Sequence, residues 1–101
     1  MDLEYFKEHI EEELDGAEDY IKRAIEIRAM DSTWAKMFVE MSSAELQHAS
    51  YLYKMFEDYY AIMQKEFREI PKYIQDMKTC VANMYSERTA AIKIMHDVYS
   101  R

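Results

Sequence analysis

An all-α protein is what this chain predicts, and three observations carry the prediction. Apolar residues recur at steps of three and four along three long segments, the spacing of a helix's buried stripe. One Gly and one Pro leave few turn residues. Nine Met, with many Ala, Glu, Lys, Ile and Tyr, suit helices. With 101 residues, half of them apolar, a single domain over 1–101 is expected.

The first stripe reads Leu3, Phe6, Ile10, Glu13, Ala17, Tyr20, Ala24 and Ile27, and predicts a helix from Leu3 to about Arg28. Glu13 is its one charge. Gly16 lies inside this helix at a cost of about 1 kcal/mol relative to Ala, and it permits close approach of another helix. Glu11, Glu12, Glu18, Asp19 and Glu26 read as its wet face.

A cap follows at Asp31 or Ser32, opening a second helix that runs into the high 60s. Its stripe is Trp34, Phe38, Met41, Glu45, His48, Leu52, Met55, Tyr59 and Ile62. Pro71 stops this helix and suits the first turn of a third, reaching to about Tyr99. The third stripe is Tyr73, Met77, Cys80, Met84, Glu87, Ala91, Ile94 and Val98, with Glu87 its only charge.

The second stripe holds the chemistry. A buried carboxylate is costly unless it is paired or binds a metal. Glu45 and His48, three residues apart, point the same way from one helix. They form the Glu-x-x-His element of carboxylate-bridged di-metal bundles. A hairpin centred near residue 30 sets facing residues equally far from the turn. Glu13 lies 17 residues before it, and Glu45 and His48 lie 15 and 18 after it. The three are expected to meet. Glu87 falls opposite about residue 53 and is a weaker candidate ligand.

Oxygen donors with one imidazole suit iron or manganese, with zinc the usual competitor. One chain offers half of a bundle site. A two-fold homodimer supplies Glu13, Glu45 and His48 twice, and small chains often gain stability by oligomerising. Tyr20, two turns from Glu13, could hydrogen-bond a ligand carboxylate. The competing reading is a Glu–His hydrogen-bonded network that fixes helix register. Trp34, Tyr51 and Tyr59 read as packing residues, Cys80 as a buried small hydrophobe, and His9 and His96 as exposed or hydrogen-bonded.

The stretch from Glu13 to His48 resembles the first half of ferritin-like di-iron proteins, especially rubrerythrins. Tyr20 stands seven residues after Glu13, and the second helix reads Phe38-x-Glu40-x-x-x-x-Glu45-x-x-His48. A second Glu-x-x-His and the cysteines of a rubredoxin module are missing. A short chain with a single site-bearing hairpin looks more like the encapsulated ferritins. The resemblance implies a ferritin-like antiparallel hairpin plus a third helix, completing a four-helix bundle by dimerisation. It implies ferroxidase activity, Fe(II) being oxidised by oxygen or peroxide at a di-iron site across the dimer interface. Iron storage inside an encapsulating protein shell is the associated setting. The alternatives are a non-enzymatic helical assembly or adaptor with a structural or vestigial metal, and a rubrerythrin-like peroxide reductase fed by an external electron donor.

Net charge of −7 without a basic run argues against nucleic acid and anionic membrane surfaces as partners. A single Cys excludes a disulfide framework. No signal peptide or long uncharged apolar run is read, so a cytoplasmic location, in or out of a nanocompartment, is expected.

Overall fold

The computed structural model describes residues 2–101, which form α1 (Leu3–Ile27), α2 (Ser32–Glu66) and α3 (Lys72–Ser100). Among the described residues there is no strand. Asp2 caps α1, its Oδ1 accepting from the Tyr5 amide at 2.9 Å. Asp31, rather than Ser32, caps α2, accepting from the Trp34 amide at 2.9 Å. Each satisfies one of the free amides that open a helix. Pro71 stands at the N-cap of α3 without a side-chain cap bond. Gln75 reaches back to the Ile70 carbonyl at 2.7 Å instead.

α1 and α2 pack as a long antiparallel hairpin, and α3 lies mainly against α1. Two pairings fix the direction of α3. Arg28, just past α1, donates to the Val98 and Tyr99 carbonyls at 2.9 and 3.0 Å. Arg88 pairs with Asp15 and Glu18 at 2.9 and 3.2 Å. α3 therefore runs parallel to α1. Arg28 also sets a positive charge at the negative end of the α3 dipole. The result is a rod of 58 × 20 × 15 Å.

The core differs from the expected stripes by one helical column. On α1 the buried residues are Leu3, Phe6, Ile10, Leu14, Ala17, Ile21 and Ala24. Leu14 and Ile21 are fully buried, whereas Glu13 and Tyr20 lie half-buried at the edge of the interface. On α2 the buried column is Ala35, Ser42, Ala49, Phe56 and Tyr60. The expected stripe is largely outside: Trp34, Met41, Met55 and Ile62 are exposed. Small side chains explain the choice. Ala35, Ser42 and Ala49 repeat every seven residues and let α1 approach α2 closely. The bulkier adjacent column is left on the surface.

α3 is corrected in the same way. Val81 and Ile92 are its buried residues. Tyr73, Cys80, Glu87, Ala91 and Ile94 are exposed, so Cys80 is not the buried hydrophobe expected of it.

One polar contact joins all three helices. Ser42 is fully buried, and its Oγ donates to the Ala17 carbonyl at 2.7 Å. His96 Nε2 lies 2.9 Å from the same Oγ. A serine has a single hydroxyl proton, and a carbonyl can only accept. The proton of Ser42 is thus committed to Ala17, and His96 must donate from Nε2. Burial also lowers the His96 pKa below its ordinary 6.5, against an opposing pull from Asp97. The imidazole therefore carries a proton on Nε2, and its burial disfavours the charged form.

Candidate metal centre

Glu13 comes from the third and fourth turns of α1, Glu45 and His48 from the middle of α2. Because the hairpin turns over residues 28–30, these levels coincide. One donor atom from each of the three lies within 4.8 Å of the others. They form the candidate cluster found among the described residues. His48 Nδ1 is 3.5 Å from Glu13 Oε2. That separation allows charge attraction without a well-formed hydrogen bond.

The burial is graded. Glu13 and Glu45 are half-buried, and the His48 side chain is 54% exposed. Glu13 Oε2 is itself buried and has no hydrogen-bond partner among the described residues. A buried carboxylate oxygen normally accepts a bond, because stripping its hydration costs about 1–3 kcal/mol or more for a charged group. An orphaned acceptor, a second carboxylate and an imidazole nitrogen at this spacing make a donor set for a divalent cation.

Gly16 forms the floor. A Cβ placed there would stand 3.4 Å from Glu45 Oε2 and 3.5 Å from its Cγ and Cδ. The Glu45 carboxyl thus lies across the bare backbone of α1, one turn from Glu13. The close approach expected at Gly16 is made by a carboxylate.

The other candidates lie elsewhere. Tyr20 stacks on Phe38, with ring centroids 6.1 Å apart, and packs the hairpin there. Glu87 is exposed and outside the cluster. Tyr85 stacks on Tyr53 at 4.2 Å, keeping that part of α3 level with the region of α2 beyond the site. Burial, helped by Glu57, raises the pKa of both stacked tyrosines. His9 sits 3.6 Å from Glu12 on the outer side of α1.

The Ser42–His96 contact escaped sequence reasoning. Its signal was the small-residue column Ala35, Ser42, Ala49, which marks the true contact face of α2. No protein family, curated protein or solved structure matches this chain. No helix among the described residues is long and apolar enough to cross a membrane.

Proposed function

We propose that this protein binds iron at Glu13, Glu45 and His48 and oxidises Fe(II) with oxygen or peroxide. The observation that carries the reading is the convergence of the three donors around a buried Glu13 oxygen that accepts no hydrogen bond. Manganese and zinc are the competing ions, since oxygen donors with one imidazole accept each of them.

The chain's own residues supply three things. Two carboxylates offset the charge of a bound cation. The half-buried position on an apolar hairpin lowers the local dielectric and strengthens that attraction. His48, exposed on one side, leaves the cluster open to a further donor. Three ligands from one chain are half of a di-metal set, so a second copy completes the site with its own Glu13, Glu45 and His48. Such a site is the four-helix, ferritin-like arrangement that the motif resembles. When iron is the substrate, dioxygen takes one electron from each of two Fe(II) ions and two protons, leaving as hydrogen peroxide.

Iron storage and a protein shell belong to this reading as its setting. A structural metal in a non-enzymatic assembly would use the same three donors and would not accelerate oxidation. The test follows Fe(II) oxidation by absorbance, in wild type and in His48→Ala and Glu45→Ala, with helicity checked by circular dichroism. Acceleration by wild type, and its loss in two folded variants, supports the proposal. Equal rates in all three would place the oxidation in background chemistry.

A further inference from the structure

Two contacts hold α3 beside α2. The Tyr53–Tyr85 stack stands at one end and the Ser42–His96 hydrogen bond at the other. They lie 11 residues apart on both helices, about 16 Å at the helical rise. Between them α3 leans on α1, and a groove of about 610 Å³ opens between α2 and α3. Small-molecule sites commonly have volumes of about 300–1,000 Å³. None of Glu13, Glu45 and His48 lines this groove.

Its walls do not suit plain helix packing, which sets apolar side chains along the seam between two helices. Here α2 contributes Ser43, Gln47 and Ser50 beside one apolar residue, Leu46. The wall from α3 carries Thr89, Lys93, His96 and Asp97, with Tyr85 at the far end. Polar groups gathered in a cleft with some apolar surface are the makings of a ligand site.

The charges are ordered along the groove. Lys93 and Asp97 stand one turn apart on α3, about 6 Å along its axis. Neither belongs to an ion pair among the described residues, so both charges are open to a ligand. His96 is next to Asp97. Its Nε2 is taken by Ser42, and its Nδ1 has no hydrogen-bond partner among the described residues. In the neutral ring Nδ1 is an acceptor. One end of the groove therefore accepts hydrogen bonds through Nδ1 and the Asp97 carboxylate. The next turn presents an ammonium. Beyond it the half-buried Leu46 and Tyr85 offer apolar surface.

We propose that this groove binds a free amino acid with an apolar side chain, aromatic ones best. The ammonium of the ligand donates to Asp97 and His96 Nδ1. Its carboxylate meets Lys93 and the Gln47 amide, and its side chain runs over Leu46 toward Tyr85. A simple anion would meet Asp97 and the net charge of −7. A simple amine would bring positive charge beside Lys93 and leave that lysine unpaired. A zwitterion serves both charges at once. The inference goes beyond the metal reading and does not depend on it.

The test titrates L-phenylalanine into full-length protein in chelator, followed by amide shifts in NMR spectra. Saturable shifts centred on Gln47, Thr89 and Lys93 are expected. Phenethylamine, which lacks the carboxylate, and 3-phenylpropionate, which lacks the ammonium, should each bind at least about tenfold more weakly, since each loses a charge-assisted contact. Lys93→Gln and Asp97→Asn, both at exposed positions, should each weaken phenylalanine binding about tenfold with wild-type helicity. Lys93→Gln should not weaken phenethylamine binding, and Asp97→Asn should not weaken 3-phenylpropionate binding, because neither analogue carries the group that the lost side chain holds. No saturable shift up to the solubility limit of phenylalanine would overturn the proposal. So would shifts centred elsewhere on the protein, an analogue binding as tightly as phenylalanine, or two variants binding phenylalanine as wild type does.

Discussion

Replacing Ser42 with Ala should cost about 2 kcal/mol, because one buried hydroxyl serves two helices besides its own. The Ala17 carbonyl loses the smaller share, since it lies in mid-helix and keeps its main-chain bond. The His96 Nε2 proton loses more. It points at a side chain with no exposure and would find a methyl group there. An unpaired buried donor costs about 1–3 kcal/mol, and the partial exposure of His96 argues for the middle of that range. For a domain of this size, 1 kcal/mol moves Tm by about 4–8 °C, so a fall of roughly 8–16 °C is expected. Thermal unfolding followed by circular dichroism, on metal-stripped protein at one fixed concentration, measures it. A double-mutant cycle with His96→Ala should then return a coupling of about 1 kcal/mol. A Tm within about 2 °C of wild type would refute the idea that this contact ties α3 to the hairpin.

The remaining predictions are more local. Lowering pH should destabilise the fold through His96. Its folded pKa lies below the unfolded 6.5, so the contribution is complete above that value and is lost as pH falls through the lowered one. Urea unfolding from pH 7.5 downward, in wild type and in His96→Gln, checks this, and the variant should lack that part of the slope. Gly16→Ala should raise helix stability by up to about 1 kcal/mol while pressing a methyl against the Glu45 carboxyl. Higher Tm with weaker Fe(II) binding is the expected pair of results, and unchanged binding would show that Glu45 does not use that space. Glu87→Ala should leave the rate of Fe(II) oxidation within about twofold of wild type, since Glu87 is exposed and outside the cluster. A loss as deep as that of His48→Ala would bring α3 into the site.

The helices and their limits were legible in the sequence, because caps and breakers are local signals. Asp31 marks the start of α2 and Pro71 the start of α3 by their own chemistry, whatever packs around them, whereas α2 ends at Glu66, short of the Pro71 expected to stop it. The meeting of Glu13, Glu45 and His48 was legible for a related reason. A tight antiparallel hairpin turns sequence distance from the turn into height along the rod, so counting suffices.

The faces were harder. Stepping through the largest apolar residues of α2 selects Trp34, Met41 and Met55, and these are the exposed ones. The interior selects Ala35, Ser42 and Ala49, since two helices approach most closely over small side chains. A chain with two faces to bury, one against itself and one proposed to face a second copy, carries two stripes that hydrophobicity alone does not rank. The same ambiguity set Glu13 and Tyr20 among the buried residues of α1, where Leu14 and Ile21 belong. The direction of α3 was also beyond a stripe reading. It depends on Arg28 and Arg88 reaching across to partners about 70 residues away in sequence.

The count of Fe(II) ions held per chain under anaerobic conditions tests the central claim most directly. Isothermal titration of metal-stripped protein should give one tightly bound Fe(II) per chain, two per dimer, for wild type. Glu13→Gln, Glu45→Ala and His48→Ala should each abolish that binding while keeping wild-type helicity. Wild-type protein that takes up no Fe(II), or three variants that bind it as tightly as wild type, would contradict the assignment of Glu13, Glu45 and His48 as an iron site.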